Sequence, residues 1–251
     1  MTSDAPADRK SRSRMALLGF ICGLGAIAAL AASAVGYRLA WWPVTTALSL
    51  AEYGAYAAAL GVALSLVGLI SASRRCVRRG VPLGLLGFVA AVPVLAMAVR
   101  WEYATRHYPP INDISTDTDD PPIFWDMPNP SEYPGGRAAE LQHVAYPDLG
   151  TLLLSITRER AFTLAREIAQ DNGWEIVAEA PDEGRIEAVA TSPIYGFKDE
   201  VVIRIESAEG KAEVDLRSRS RLGRIDRGVN AARIRDFCAQ LRERASEDRQ
   251  P

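Results

Sequence analysis

Three long apolar runs crowd the first hundred residues, and they restrict what this chain can become more than any other feature. They extend roughly from Met15 to Tyr37, from Glu52 to Ala72 and from Pro82 to Arg100. A bilayer crossing needs about 20 apolar residues, because each helical residue advances ~1.5 Å through a hydrocarbon core of ~30 Å. No charge interrupts the first run between Met15 and Tyr37. A buried helix of a soluble protein would not explain three such runs in succession, so the N-terminal part reads as a membrane unit.

Basic residues orient that unit. Arg9, Lys10, Arg12 and Arg14 precede the first run, and Arg74, Arg75, Arg78 and Arg79 separate the second from the third. Arg38, Arg100 and Arg106 are the basic residues flanking the spans on the other side. Lysine and arginine are retained in the cytoplasm, which places the N-terminus and the RRCVRR loop inside and everything after Arg100 outside. Ala32-Ser33-Ala34 resembles a signal-peptide cleavage site, but the apolar run before it exceeds the ~15 residues usual for such peptides. The expected location is the inner cell membrane, multi-pass, with a periplasmic C-terminal domain.

The expected organisation is a cytoplasmic tail over 1–14, three transmembrane helices over 15–100, and a Pro-rich, partly ordered tether over 101–145. A soluble α+β domain follows over 146–246, and then a disordered tail over 247–251. Charge divides along the same line, net +7 in the first hundred residues and net −9 in the remainder. An external domain this acidic is a poor nucleic-acid binder. Cys22 lies in the first span, Cys76 in the basic loop and Cys238 near the end, so the outer domain holds a single thiol and must be stabilised by its core. Richness in alanine and arginine suggests a bacterial chain.

Small residues recur at helical spacing in the spans: Gly19 and Gly23, then Ala57, Gly61 and Ser65, then Gly84 and Gly87. Such stripes permit close helix contact within a bundle, with a homo-oligomeric face as the alternative. Trp41, Trp42, Tyr53 and Tyr56 suit the outer interface, and Glu52 belongs there rather than at depth.

Seven of the fifteen prolines lie between Pro109 and Pro134, which favours extended chain over helix. Yet Ile111, Ile114, Ile123, Phe124 and Trp125 are too apolar for a free linker, so this tether should lie against the folded domain. Asp113, Ser115, Asp117 and Asp119 alternate with the spacing of calcium ligands, but the glycine and glutamate of an EF-hand loop are missing. Turns closed by Asp and Ser side chains explain the run more simply. No metal site and no cofactor is expected.

In the outer domain, Arg158–Asp171 has one apolar helical face and ends at Gly173. Four strands are expected at 174–179, 185–191, 200–206 and 211–219, joined by short turns as a meander. Ile186, Ala188 and Ala190 alternate with polar residues, as do Val201, Ile203 and Ile205, so one sheet face should be buried and the other solvated. A last helix from Asp226, placed as its cap, to Ala245 completes a two-layer α+β domain with both helices on the apolar face.

Chemistry is concentrated in Arg217–Arg235, where seven arginines face one aspartate. Arg217, Arg219 and Arg221 share one strand face, while Ser218 and Ser220 turn inward with Leu216. Two readings stand side by side. Guanidinium groups converging near a helix N-terminus would bind a small anion. Alternatively, the arginines pair across strands with Glu187, Glu206, Glu213 and Asp215. Asn230 and Arg233, beside the apolar stripe, are placed to tie helix to strand. The candidate anion site comprises Arg204, Arg217, Ser218, Ser220, Arg221, Asn230 and Arg233, with Asp113, Ser115, Asp117 and Asp199 as a second segment. No catalytic residue is assigned: His107 and His143 lie outside these motifs, so Ser218 and Ser220 lack the usual base.

YGFKDEVVIR, RSRSRLGRIDRGVNAARIR and NDISTD together resemble the family called domain of unknown function 1499, over roughly Pro109 to Leu241. The matching residues are Asp113, Ser115, Thr116 and Asp117, then Gly196, Phe197, Asp199 and Arg204. The last group comprises Arg217, Ser218, Ser220, Arg221, Gly223, Asp226, Gly228, Asn230 and Arg233. The resemblance implies a compact domain, often attached to membrane spans, found in bacteria and photosynthetic organisms, without an established activity. The expected role is therefore display of a binding or assembly module at the cell envelope, with the bilayer, a second copy or an envelope protein as partner. An envelope enzyme using Asp and Arg, and a scaffold recruiting partners through its membrane helices, are the alternatives.

Overall fold

The structure is a computed structural model that describes residues 14–74, 80–128 and 132–248. The expected tail before Arg14, Arg75–Arg79 of the basic loop, and residues 249–251 lie outside the described residues. The chain forms two compact units, 1–103 and 104–251, each described by itself.

The first unit contains α1 (Arg14–Arg38), α2 (Val44–Arg74) and all but the last turn of α3 (Val81–His107). All three are long and apolar enough to cross a membrane. α2 begins earlier than the apolar run suggested, because Pro43 just before its first turn gives up only an N–H that a helix start leaves unpaired anyway. α3 passes Arg100 and continues until the prolines at 109 and 110. The small-residue stripes are where these helices meet. A Cβ on Gly23 would lie 2.7 Å from the Gly87 carbonyl oxygen, and one on Gly68 2.6 Å from the Ala16 nitrogen. Only a missing side chain permits that approach. Tyr56 donates to Glu52 across one helical turn at 2.6 Å.

The second unit is α+β. Its meander comprises β3 (Glu175–Ala180), β4 (Arg185–Thr191), β5 (Lys198–Ala208) and β6 (Lys211–Ser220). The sheet has six strands rather than the four expected, in the order β1-β6-β5-β4-β3 with β2 also on β6. β1 (Asp113–Ser115) pairs Asp113 with Arg219 and Ser115 with Arg217, while β2 (Leu152–Leu154) pairs Leu152 with Val214. Each is three residues long, too short to show a period of two. They fill one edge of β6 end to end, where unpaired backbone would otherwise be exposed.

α5 (Arg158–Asp171) and α6 (Val229–Glu247) cover one face of this sheet. Thr157 caps α5 by accepting from the Arg160 N–H at 3.2 Å. Ala161, Leu164, Ala165 and Ile168 of α5 and Ile234, Phe237 and Leu241 of α6 pack with Ile186, Val201, Ile203, Ile205, Val214 and Leu216 in one core. α6 starts three residues later than expected. Its N-cap is Gly228, in the left-handed region at φ 80°, where a Cβ would meet the Tyr108 ring at 2.6 Å. Asp226 still serves the helix start, accepting the N–H groups of Gly228 and Asn230 at 3.0 and 2.8 Å.

The opposite sheet face is not solvated, contrary to expectation. Residues 116–128 and 132–135 lie across it as a strap, and Phe124 and Met127 bury Val189 and Val202 beneath them. A short helix, α4 (Gly136–Ala145), returns the chain to β2. Its Gln142 is 2% exposed and clasps β1, donating to the Ser115 carbonyl at 2.6 Å and accepting from the Ser115 N–H at 3.0 Å. At the C-terminus, Asp248 pairs with Arg160 at 2.7 Å.

Candidate functional site

β6 sends its side chains alternately to the two faces of the sheet, and this period of two decides where the candidate residues go. Ser218 and Ser220 turn towards α6 with Leu216. Arg217, Arg219 and Arg221 turn towards the strap. The residues expected to converge on one anion are thus divided by the sheet into two clusters.

Beneath the strap, Arg217 is fully buried. Its Nε and Nη2 donate to the two oxygens of Asp113 at 2.9 and 2.8 Å, and it also reaches the carbonyls of Pro122 (3.1 Å) and Glu132 (3.0 Å). The rings of Phe124 and Tyr133 lie 5.0 and 5.4 Å from its guanidinium carbon. Burial, reinforced by the Asp113 charge, pushes the Tyr133 hydroxyl up to about 12. Arg219 and Arg221 share Glu200, which is wholly buried, at 2.7 and 2.8 Å. Arg204 joins Asp120 (2.8 Å), Asp215 (3.0 Å) and Asp117 (3.2 Å). Asp215 also accepts the hydroxyls of Thr116 and Thr151 at 2.7 Å each. Glu187 accepts the strap's Trp125 N–H at 2.7 Å and is paired with Arg185.

Cross-strand pairing is therefore what these guanidinium groups do. The partners differ in part from the expected ones: Asp113, Glu200, Asp117 and Asp120 join Asp215, and Glu187 serves Arg185. The Asp-rich run of 113–120 behaves as a turn, since Asp117 Oδ1 accepts the N–H groups of Asp119 and Asp120. Beneath the strap, Asp113, Glu187, Glu200, Asp215, Arg217 and Arg219 each face an opposite charge, which offsets a desolvation cost of several kcal/mol per ion.

On the helix side, Ser218, Asn230 and Arg233 form a triangle. Ser218 and the Asn230 amide oxygen are 2.9 Å apart, and Arg233 donates to both and to Asp199 at 2.6 Å. The Asn230 amide nitrogen donates to the Asn112 carbonyl (2.9 Å) and to Ser220 (3.1 Å). Asn230 and Arg233 thus tie α6 to β5 and β6, as their spacing suggested. Desolvation raises the Asp226 carboxyl at the edge of this cluster above its usual range, opposed by the two amides it accepts.

The chemistry open to this arrangement is limited. Ser218 is bonded to an amide oxygen, which takes no proton near neutrality, and to a guanidinium, which gives none up. His143 stands elsewhere, bonded to Thr118 at 2.9 Å. Asp199 and Arg204 point to opposite faces of β5, so no single pocket can join them. A cleft of about 80 Å³ touches the 112–117 segment only at Thr116, and one of about 330 Å³ lies between α5 and the β3 end, lined by Phe162, Arg166 and Glu179. Phe124 was marked by the unusual apolarity of the tether and is buried against the sheet. Sequence reasoning passed over Glu200, Gln142 and Tyr133, which nothing local marked.

A family model described as "protein of unknown function (DUF1499)" matches residues 113–241, from the first strand to the buried leucine of α6. The chain belongs to the DUF1499 family. The matched region starts at the carboxylate that holds Arg217, so the DUF1499 unit includes β1 and the strap as well as the meander. No curated protein matches the chain.

Proposed function

We propose that this DUF1499 protein is a multi-pass protein of the inner cell membrane that displays its α+β unit on the periplasmic side, as a module for binding or assembly at the envelope. The membrane placement is supported by three helices long and apolar enough to cross a bilayer. The sidedness rests on the arginine and lysine asymmetry, with eight basic residues assigned to the cytoplasmic tail and loop.

The observation that favours a module over an enzyme is the use of its charged groups. Arg204, Arg217, Arg219, Arg221 and Arg233 are each bonded to carboxylates of the same unit. These groups are committed to closing the fold. An anion at Arg233 would have to displace Asp199, and one at Arg217 would have to displace both Asp113 and the strap. The accessible surface, rather than this interior, is then the part available to partners.

A pair of reporters fused after Pro251 tests the sidedness. Alkaline phosphatase should be active there and green fluorescent protein dark. A fluorescent fusion in living cells would refute the periplasmic placement.

A further inference from the structure

The sheet of the DUF1499 unit has two unlike borders. On one side, β1 and β2 both lie along β6. On the other, β3 pairs with β4 alone among the described residues, which leaves a row of its N–H and C=O groups with no strand beside it. β3 carries a bulge at Val177, so that Ile176 stands opposite Ala188 and Glu179 opposite Ile186. The extra residue turns Glu179 to the helix side, where strict alternation would have put Ala178 and Ala180. Glu179 there forms one wall of the cleft of about 330 Å³, which Phe162, Thr163 and Arg166 of α5 also line. An edge strand beside a helix, with a cleft between them, is a setting in which an extended peptide adds to a sheet.

Charge on this edge selects what can lie there. Residues 173–184 hold Glu175, Glu179, Asp182 and Glu183 and no lysine or arginine. Glu183 is paired with Arg185 at 3.2 Å, but Lys198 and Arg166 approach Glu175 and Glu179 only to 4.0 Å. Arg158, the other cation of the cleft, is held by the carbonyls of Ile205 and Asp182 at 3.0 and 2.8 Å. A second copy of β3 is a poor occupant, because antiparallel pairing centred on Val177 sets Glu175 against Glu179 twice. Glu175 and Glu179 stand opposite Val189 and Ile186 of β4, three positions apart and on opposite faces. A strand that keeps this register on the outer edge meets both carboxylates with cations three residues apart.

We propose that the outer edge of β3 takes up an extended segment of a partner protein as a further strand, with lysine or arginine at every third position. One cation enters the cleft over the Phe162 ring and reaches Glu179, and the next meets Glu175. Val177, which is 45% exposed, supplies apolar contact between them. Main-chain hydrogen bonds give the attachment its strength, and the carboxylates choose the partner. The inference rests on the reading of this unit as a binding module, but not on the side of the membrane it occupies. It therefore fails independently of the reporter fusions, and a module that binds through another surface would survive its failure.

The test uses the full chain in nanodiscs of phosphatidylcholine, whose zwitterionic headgroups do not collect cationic peptides, with empty discs as the blank. A short fluorescent peptide of Lys-Val-Thr repeats should bind with a saturable rise in anisotropy, and a Glu-Val-Thr peptide should not. Glu175 and Glu179 are both exposed, so their replacement leaves the core intact. Glu175→Lys with Glu179→Lys should weaken binding of the first peptide at least about tenfold and admit the second, a reversal that loss of fold would not produce. The Lys-Val-Thr peptide methylated on every backbone nitrogen keeps its charge and loses its donors, so it should not bind. Equal binding of the methylated peptide overturns the proposal, as does binding that the charge reversal leaves unchanged. Absence of binding by the parent chain overturns it too. Disulfide cross-linking of two copies at Val177→Cys, with Cys22→Ala and Cys76→Ala, would assign the edge to a second copy and overturn it as well.

Discussion

Arg217→Ala is the most informative perturbation of the DUF1499 unit. The residue has no exposed surface and donates to both oxygens of Asp113 and to two strap carbonyls. Its removal leaves a carboxylate that is itself 5% exposed without a counter-charge, which costs about 3–5 kcal/mol. The Pro122 and Glu132 carbonyls lose their donor as well, at about 1 kcal/mol or more each. Against a total stability of roughly 5–15 kcal/mol, that is a large share. For a unit of this size the melting temperature should fall by roughly 10 °C or more. The assay is thermal unfolding of the full chain in nanodiscs, followed by near-UV circular dichroism. The double variant Asp113→Leu, Arg217→Met should recover most of the loss, because replacing a whole buried pair by apolar side chains is close to neutral. Residual destabilisation of about 1–3 kcal/mol should remain from the orphaned carbonyls. If Arg217→Ala unfolds within about 1 kcal/mol of the parent protein, the buried pair does not close this fold.

Arg233→Ala should destabilise by about 2–3 kcal/mol, because it strands Asp199 and opens the Ser218–Asn230 triangle. Arg221→Ala should cost less than about 1 kcal/mol, since Arg219 still serves Glu200; urea denaturation of both variants would expose a reversed order. Burial raises the Cys238 thiol to about 11, so the folded state holds that proton where the unfolded state has lost it. Stability should therefore decline as pH rises from about 9 towards 11, by an amount that Cys238→Ala removes. Native protein at pH 8 should resist alkylation at Cys238 until denaturant is added; mass spectrometry showing rapid modification would contradict the burial.

Much of this fold was legible where local pattern and tertiary demand agree. α5 and β4 fall where apolar periodicity put them, and the opposed directions of Ser218 and Arg217 follow from strand alternation alone. What escaped was carried by contacts far apart in sequence. β1 and β2 are too short to show periodicity and exist because β6 has a free edge. The partner of Arg217 stands 104 residues away, and Glu200, across one turn on the neighbouring strand, gives no local sign that it will hold two guanidinium groups. The second sheet face looked solvated because its strand residues are charged. Only the strap, itself disguised as a proline-rich tether, turns that face into an interior. The candidate site suffered most, since alternation splits it as soon as the sheet is drawn.

The clasp of Asp113–Ser115 onto β6 also imposes an order on biogenesis. The segment that leaves the last span first is among the last to find its place, because its hydrogen-bonding edge is synthesised about a hundred residues later. Until then the newly emerged chain holds an unpaired aspartate and an uncovered row of amides. Closure of the loop completes the charge pairing and the sheet together, so a ribosome stalled before Arg217 would leave this unit without its lock.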